Sequence, residues 1–190
     1  MRTVLFVPGF QEDINTRNYQ ATIKAITDKD YVVKFVQINW KRTCITDWAK
    51  QLESVYDNYD AKQTILAGFS FGSLTAFMAA AKRNPVELWL FSISSYFSDD
   101  IPKVEKSWLK GIGIRRTEAF SRMNFEQLAS SIKCKTLILY GEEEAKEYPL
   151  LGNRAKIAHK VIKTSTLIKV PNANHDVTDS NYIASIEEAI

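Results

Sequence analysis

The chain has 190 residues, 45% of them hydrophobic and 25% charged, which is the composition of an ordinary globular protein and argues against a disordered chain. Its net charge is only +3, and its basic residues are dispersed along the chain, so we set aside a nucleic-acid-binding protein, which needs a clustered basic face. Because this length is ample for one hydrophobic core, we expect a single domain over residues 1–190.

The N-terminal part alternates strand and helix patterns. Residues 4–7 form a continuous apolar run that ends at Pro8-Gly9, which is typical of a strand buried on both faces of a parallel sheet. This run is too short for a signal-peptide core or a membrane span, so we expect no membrane span and a cytoplasmic location. A helix capped near Asn15-Thr16 then leads to a second strand over residues 31–36.

The rest of the chain continues the alternation. An amphipathic helix capped near Thr46-Asp47 precedes a strand over residues 63–67, and an apolar helix follows until Asn84-Pro85. Three more strands are predicted over residues 86–93, 136–140 and 166–170, with a helix over 153–163 and a closing helix from Asn181. This rhythm predicts an α/β fold, a doubly wound, mostly parallel six-stranded sheet with helices on both faces.

Residues 94–123 interrupt this rhythm. The segment mixes aromatic side chains with lysines and arginines, and Gly111 and Gly113 are candidate hinges. A long excursion after a strand is often functional, so a small lid or a pocket wall is one interpretation, and a peripheral structural helix is the other.

The sequence Gly68-Phe69-Ser70-Phe71-Gly72 lies where the strand over 63–67 gives way to a helix. A serine on such a sharp strand-to-helix turn adopts a strained backbone, and glycines two residues before and after it let the neighbouring chain pass close. The pattern predicts that Ser70 is a catalytic nucleophile. The simpler interpretation is a Gly- and Ser-rich turn leading into a core helix.

A nucleophilic serine needs a base to accept its proton, and the chain has only two histidines. His159 falls inside a predicted helix among lysines, where a structural role is the better interpretation. His175 lies in a loop directly after the last predicted strand, at the sheet edge where catalytic groups of open α/β sheets gather. We therefore predict His175 as the base, on a loop in which Asn172 and Asn174 tolerate left-handed backbone.

Cys44 and Cys134 are isolated in sequence and form no Cys-x-x-Cys pair. With two histidines there is no evident set of zinc ligands, so we interpret both cysteines as reduced, packed thiols and expect no metal and no cofactor.

The third member of a serine triad is a carboxylate that orients the histidine, and in the order Ser, acid, His it falls between the other two. Three consecutive glutamates, Glu142, Glu143 and Glu144, follow the strand that ends at Tyr140-Gly141. Such a run is usually a solvated loop, but its position after a strand is where the acid belongs.

Four stretches of the chain together resemble the α/β-hydrolase superfamily, in particular its small single-domain bacterial esterase-like members. These stretches are residues 4–10, the turn 67–72, residues 132–144 and residues 170–175, in the family's order and over nearly the full length. The resemblance implies a serine hydrolase with Ser70 as nucleophile, His175 as base and then acid, and Glu144 as the orienting acid. It also implies an oxyanion hole formed by the backbone N–H groups of Phe10 and Phe71.

The sequence departs from the family pattern at three places. Pro8 stands where the family often has histidine, the acid is glutamate where aspartate is commoner, and asparagines replace the usual glycines before His175. The acid assignment is therefore open, with Glu143 next after Glu144, Glu142 third, and Asp99 or Asp100 as remote alternatives.

The expected activity is cleavage of a small or medium carboxylic ester or thioester through an acyl-enzyme on Ser70. Aromatic residues near the turn and in 94–123 suggest an apolar acyl pocket, although each of them could simply pack in the core. A serine peptidase or a C–C bond hydrolase would use the same residues, and a non-catalytic binding module is a further alternative. The oligomeric state does not follow from the sequence.

Overall fold

The structure is a computed structural model that describes residues 1–15 and 19–190. Within these residues, one sheet of six strands has the order β2-β1-β3-β4-β5-β6, and every neighbouring pair is parallel. The sheet predicted from the apolar runs is thereby confirmed. Its strands are β1 (Thr3–Val7), β2 (Val32–Phe35), β3 (Thr64–Phe69), β4 (Glu87–Phe91), β5 (Lys135–Gly141) and β6 (Ser165–Val170).

Helices connect these strands, and a short 3₁₀ turn covers Ile101–Lys103. None of the helices in the described part of the chain is long and apolar enough to cross a membrane. The helices are α1 (Tyr19–Thr27), α2 (Ile45–Tyr56), α3 (Phe71–Arg83), α4 (Lys106–Ile112), α5 (Ile114–Ser121), α6 (Phe125–Ser131), α7 (Glu142–Glu147), α8 (Pro149–Val161) and α9 (Ser180–Ala189).

Helix boundaries differ from the sequence predictions at their N-termini. The predicted cap at Thr16 lies outside the described residues. The N-cap of helix α2 is Cys44, two residues before the predicted cap near Thr46-Asp47, because the Asp47 carboxylate accepts the Cys44 backbone N–H at 2.9 Å. Helix α8 begins at Pro149, four residues before the predicted start, and proline at the first helical position lacks only an N–H that would have no intrahelical partner.

Helices cover both faces of the sheet. Along β1, Leu5 and Val7 pack with α2 and α3, whereas Val4 and Phe6 pack with α1 and α9. This alternation follows from the two-residue period of a strand, and it explains why the central strands read as continuous apolar runs.

The strand order reverses between β1 and β3, because β1 leads to β2 on one side and β3 leads to β4 on the other. Loops at the carboxyl ends of two such strands diverge and leave a crevice, which is where ligands bind in open α/β sheets. The residues that follow these two strands are Pro8-Gly9-Phe10 and Ser70.

A buried arginine anchors the segment that follows β4. Arg154 of α8 is 1% exposed, and its guanidinium donates to both carboxylate oxygens of buried Asp100, at 3.1 and 2.5 Å, and to Asp99 at 2.7 Å. The same guanidinium lies over the rings of Phe97 and Phe125, 4.9 and 4.4 Å from their centroids. The start of the 94–123 segment is therefore fixed to the helix layer.

Replacing Arg154 with methionine is expected to lower the free energy of unfolding by about 3 to 5 kcal/mol, because the Asp100 carboxylate stays buried without its partner. Urea unfolding followed by circular dichroism measures the change. The control is Lys24→Met, which removes an exposed ion pair with Asp28 and should cost at most about 1 kcal/mol. Equal losses in the two variants would contradict the anchoring role.

Candidate active site

The turn between β3 and α3 holds Ser70 in a strained backbone conformation, with φ 56° and ψ −119°. For a residue other than glycine this region costs on the order of 1 to 3 kcal/mol and persists only where the surroundings enforce it. The Ser70 N–H donates to the Phe91 carbonyl at 2.9 Å, so the end of β3 stays paired to β4 up to the turn itself. The side chain is directed toward the carboxyl edge of the sheet.

Glycines at positions 68 and 72 make room for this turn. A Cβ on Gly68 would lie 2.7 Å from the Ser73 nitrogen, and a Cβ on Gly72 would lie 2.7 Å from the Val7 carbonyl carbon. Real Cβ atoms do not approach other backbone this closely, so both positions require glycine. The close contact of Gly72 with β1 brings the start of α3 against the loop that carries Phe10.

His175 reaches Ser70 from the loop after β6. Its Nε2 lies 3.0 Å from the Ser70 Oγ, and its ring packs on Phe69 at 4.7 Å between centroids. Asn172 has φ 54°, as expected for an asparagine in left-handed backbone. The second histidine, His159, is exposed on α8, and its Nδ1 lies 3.0 Å from the Ser165 hydroxyl.

Glu144 contacts the other ring nitrogen of the histidine. The Glu144 side chain is fully buried, and its Oε1 is hydrogen-bonded to His175 Nδ1. Its Oε2 accepts the Gly141 N–H at 2.7 Å and the Ser92 hydroxyl at 2.8 Å. Glu144 thus lies on the inner side of the first turn of α7, directly after the end of β5.

Three hydrogen bonds fix the orientation of this carboxylate, those from His175, Ser92 and the Gly141 N–H. Backbone contacts hold the acid and the histidine loop together, because the N–H groups of Glu143 and Glu144 donate to the Ala173 carbonyl at 3.0 and 3.2 Å. A Cβ on Gly141 would lie 2.9 Å from the Ala173 carbonyl carbon, so this close approach also requires glycine.

The other acidic candidates have different partners. Glu142 pairs with Lys169 and Glu143 with Lys146, both at 2.6 Å, and Asp99 and Asp100 pair with Arg154. Of the five carboxylates considered from the sequence, the structure brings Glu144 to His175. The result is a continuous hydrogen-bonded chain from Glu144 through His175 to Ser70.

Phe10 and Phe71 lie beside each other next to this chain, with ring centroids 5.3 Å apart. Phe71 is the first residue of α3, where a backbone N–H has no intrahelical acceptor. The loop that carries Phe10 is held by Tyr19, whose hydroxyl accepts the Gly9 N–H at 3.0 Å and donates to Glu12. The two residues whose N–H groups the resemblance implies as an oxyanion hole therefore lie side by side.

A cavity of about 550 Å³ opens above Ser70 and His175. Its lining is rich in aromatic side chains, and burial raises the pKa of one of them, Tyr96, to about 12, which keeps that phenol neutral. Carboxylates and one ammonium group lie among the remaining lining residues. The aromatic members of the lining are Phe10, Phe69, Phe71, Tyr96, Trp108 and Tyr148.

Two chain segments form much of the cavity wall. Phe97, Phe120 and Met123 of the 94–123 segment are buried in the core. Other residues of the same segment line the cavity, and these are Ser94, Ser95, Tyr96, Lys103, Val104, Glu105 and Trp108. Trp108 is 54% exposed and packs edge-on against Tyr148, with centroids 6.3 Å apart. This aromatic pair joins the segment to the second part of the wall, residues 147–151.

Several residues of this site carry no signal in the sequence. Ser92 and Tyr182 contact each other and Ser92 contacts Glu144, but both come from elements whose patterns indicate only a strand end and a core helix. The part of the cavity wall formed by residues 147–151 could not be predicted either. Nothing in the sequence distinguishes the junction of α7 and α8 from an ordinary surface turn. Within the described residues, no three His, Cys, Asp or Glu side chains cluster so as to hold a metal ion.

No protein-family model matches the sequence, and no curated protein matches it significantly. Solved structures do match the fold over nearly the whole chain. Est1E from Butyrivibrio proteoclasticus is 17% identical with a TM-score of 0.81, and the match covers 99% of this chain and 84% of that one. A bromoperoxidase from Bacillus anthracis is 13% identical with a TM-score of 0.72, and the match covers 99% of this chain and 90% of that one.

MenH from S. aureus is also similar, with 17% identity, a TM-score of 0.65, and coverage of 98% of this chain and 91% of that one. All three solved structures are α/β hydrolases. At these identities the likeness concerns the fold, and it agrees with the strand order and the parallel sheet described above. The chain therefore has the α/β-hydrolase fold.

Proposed function

We propose that the protein is a serine hydrolase that cleaves a carboxylic ester or thioester through an acyl-enzyme on Ser70. The observation that carries this proposal is the hydrogen-bonded chain from buried Glu144 through His175 to the hydroxyl of Ser70, at the floor of a cavity. A serine, an imidazole and a carboxylate in this order form the constellation that activates a hydroxyl for nucleophilic attack.

In the first half of the reaction, Ser70 Oγ attacks the carbonyl carbon while its proton passes to His175 Nε2. Glu144 accepts the hydrogen bond of His175 Nδ1–H, which fixes the tautomer and stabilises the imidazolium. The negative charge that develops on the carbonyl oxygen is stabilised by the N–H groups of Phe10 and Phe71, and one such donor contributes about 3 kcal/mol. The carbon–oxygen bond to the alcohol, or the carbon–sulfur bond to the thiol, then breaks as His175 returns the proton to the leaving group.

In the second half, water attacks the acyl carbon of the Ser70 ester and His175 takes the proton of that water. The tetrahedral intermediate collapses, the bond to Ser70 Oγ breaks, and the proton on His175 returns to the serine. The net reaction consumes one water and releases an acid and an alcohol or thiol.

The lining of the cavity supports an ester with an apolar or aromatic group. Its aromatic side chains surround the nucleophile, and a volume of about 550 Å³ accommodates a small or medium acyl group. One of the similar solved structures is described as ferulic acid bound to Est1E, a planar aromatic acid in a related fold. We include aromatic esters among the proposed substrates for this reason, and we propose that the 94–123 segment is a wall of this pocket.

Labelling with a fluorophosphonate probe tests the proposed mechanism, because such probes react with activated serines. We expect one label per chain, located on Ser70 by peptide mass spectrometry, and loss of p-nitrophenyl acetate hydrolysis in proportion to labelling. A native chain that takes up no label, or that takes it up elsewhere, would contradict the proposal and favour a binding module.

A substrate panel then identifies the reaction class. It contains p-nitrophenyl esters of increasing chain length, an aromatic cinnamate ester, a thioester and a peptide amide. Because the triad is common to all these reactions, the cavity decides among them. We expect turnover of the esters or thioester, whereas turnover of the peptide alone would identify a peptidase, and label uptake with no turnover of the panel would favour a C–C bond substrate.

A further inference from the structure

A buried serine hydroxyl holds the carboxylate oxygen of Glu144 that does not face His175, and a buried tyrosine hydroxyl contacts that serine in turn. Ser92, directly after β4, places its Oγ 2.8 Å from Glu144 Oε2 and 2.8 Å from the Tyr182 hydroxyl. Tyr182, on α9, also lies 3.1 Å from the Leu139 carbonyl. Both side chains are fully buried.

The number of protons available decides which group donates in each of these hydrogen bonds. A serine hydroxyl has one proton, and a carboxylate can only accept, so the Ser92 proton is committed to Glu144. The short contact between the two hydroxyls therefore requires Tyr182 to donate to Ser92, with the Leu139 carbonyl sharing the same proton. Burial, followed by the nearby charge of Glu144, raises the pKa of Tyr182 well above its ordinary value, which keeps this donor protonated.

The backbone at Ser92 supports a role for its side chain. Ser92 has φ 51°, in the left-handed region that glycine adopts at little cost and other residues rarely adopt. Its N–H donates to the Leu139 carbonyl at 2.8 Å, an arrangement that glycine would allow equally well. A serine in this conformation is therefore explained by what its hydroxyl does and not by the path of the chain.

The length of the glutamate side chain explains why a group that restrains the carboxylate is needed. Compared with aspartate, it has one more rotatable bond, so a fixed contact with His175 requires more restraint. The Gly141 N–H and the Ser92 hydroxyl both bind Oε2, which leaves Oε1 directed at the imidazole.

We propose that Ser92 and Tyr182 are positioning residues, in which the Tyr182 hydroxyl orients Ser92 and Ser92 orients the Glu144 carboxylate toward His175. This inference rests on the proposed hydrolase function. Neither residue contacts the substrate cavity, so both act through Glu144 on the rate of the chemical step and not on substrate binding.

The test uses Ser92→Gly and Tyr182→Phe, assayed with p-nitrophenyl acetate. Glycine removes the hydroxyl and keeps the left-handed backbone, and phenylalanine removes the hydroxyl and keeps the ring. We expect kcat to fall about tenfold for Ser92→Gly, the usual size for loss of a hydrogen bond to a charged group, and less for Tyr182→Phe, with KM nearly unchanged in both. The double variant should be no slower than Ser92→Gly, because Tyr182 acts through Ser92.

A pH profile separates positioning from a purely structural effect. Ser92 acts on the charged partner of the imidazole, so its loss should shift the acid limb of the kcat/KM profile, whereas a variant that is only less stable keeps the native acid limb. The titratable groups that face Glu144 are His175, Tyr182 and, by its electrostatic effect, Tyr148. Ser92→Gly keeps all three of these groups, and Tyr182→Phe removes only the Tyr182 phenol.

Matched controls are Ser73→Ala and Tyr56→Phe, which remove buried hydroxyls that have no hydrogen-bond partner in the described part of the chain. They should keep the native kcat and pH profile. If Ser92→Gly and Tyr182→Phe behave as these controls do while Ser70→Ala is inactive, the positioning role is wrong and the hydrolase mechanism stands. If Ser70→Ala is active, the hydrolase mechanism itself fails. Should Ser92→Gly not fold, Tyr182→Phe alone decides the question by the same two measurements.

Discussion

Ser70→Ala is expected to lower kcat for p-nitrophenyl acetate by about a million-fold. The alanine variant keeps the fold but has no atom to form the acyl-enzyme, so what remains is the catalysis that binding and the oxyanion donors supply, about a thousand-fold over water. Alanine also keeps the turn, because it adds no atoms where Gly68 and Gly72 leave room.

Steady-state kinetics and fluorophosphonate labelling measure this effect on the same preparation. The matched control is Ser73→Ala, a buried serine three residues further along α3. It should retain both native activity and labelling. Retention of the native rate by Ser70→Ala would refute the nucleophile, and a loss shared by both variants would indicate damage to α3 and not to the chemistry.

Glu144→Gln is expected to lower kcat by about ten-thousand-fold. Glutamine has nearly the shape of glutamate, but its NH₂ group donates to His175 Nδ1 and so favours the tautomer with the proton on Nε2. That nitrogen can then no longer accept the proton of Ser70. The loss should appear in kcat with little change in KM, because Glu144 does not line the cavity.

Glu142→Gln and Glu143→Gln are the controls for this prediction. Their carboxylates pair with Lys169 and Lys146 on the surface, so we expect activities within about twofold of the native chain. A large loss in Glu143→Gln together with a small one in Glu144→Gln would reverse the assignment of the acid. Circular dichroism and urea unfolding confirm that all three variants are folded before rates are compared.

The sheet could be predicted because its central strands β1, β3, β4 and β5 are buried on both faces, so their apolar runs are continuous. The turn at Ser70 could be predicted for a different reason, since backbone that passes within contact distance of Gly68 and Gly72 leaves glycine as the allowed residue. The proximity of His175 to Ser70 followed from topology, because parallel strands end at the same edge of the sheet.

Other parts of the site depend on tertiary contacts that no local pattern encodes. Three consecutive glutamates predict a solvated loop, and two of them are partly exposed, but Glu144 is buried because α7 begins directly at the end of β5 and turns that position inward. Ser92 and Tyr182 are separated by 90 residues, and only the packing of α9 against the sheet brings their hydroxyl groups together. The wall at residues 147–151 likewise depends on where α8 lies.

The reacting residues and the cavity wall come from different parts of the chain, which affects how such a protein can diversify. Ser70, His175 and Phe10 lie in turns or loops after β3, β6 and β1, whereas the wall residues between 94 and 108 belong to a segment that Arg154 anchors. Replacing the 94–123 segment with one that has a different length or different side chains would alter which molecules fit the cavity without moving Ser70 or His175. We therefore expect that substrate selectivity can change in this fold while the reacting residues stay in place.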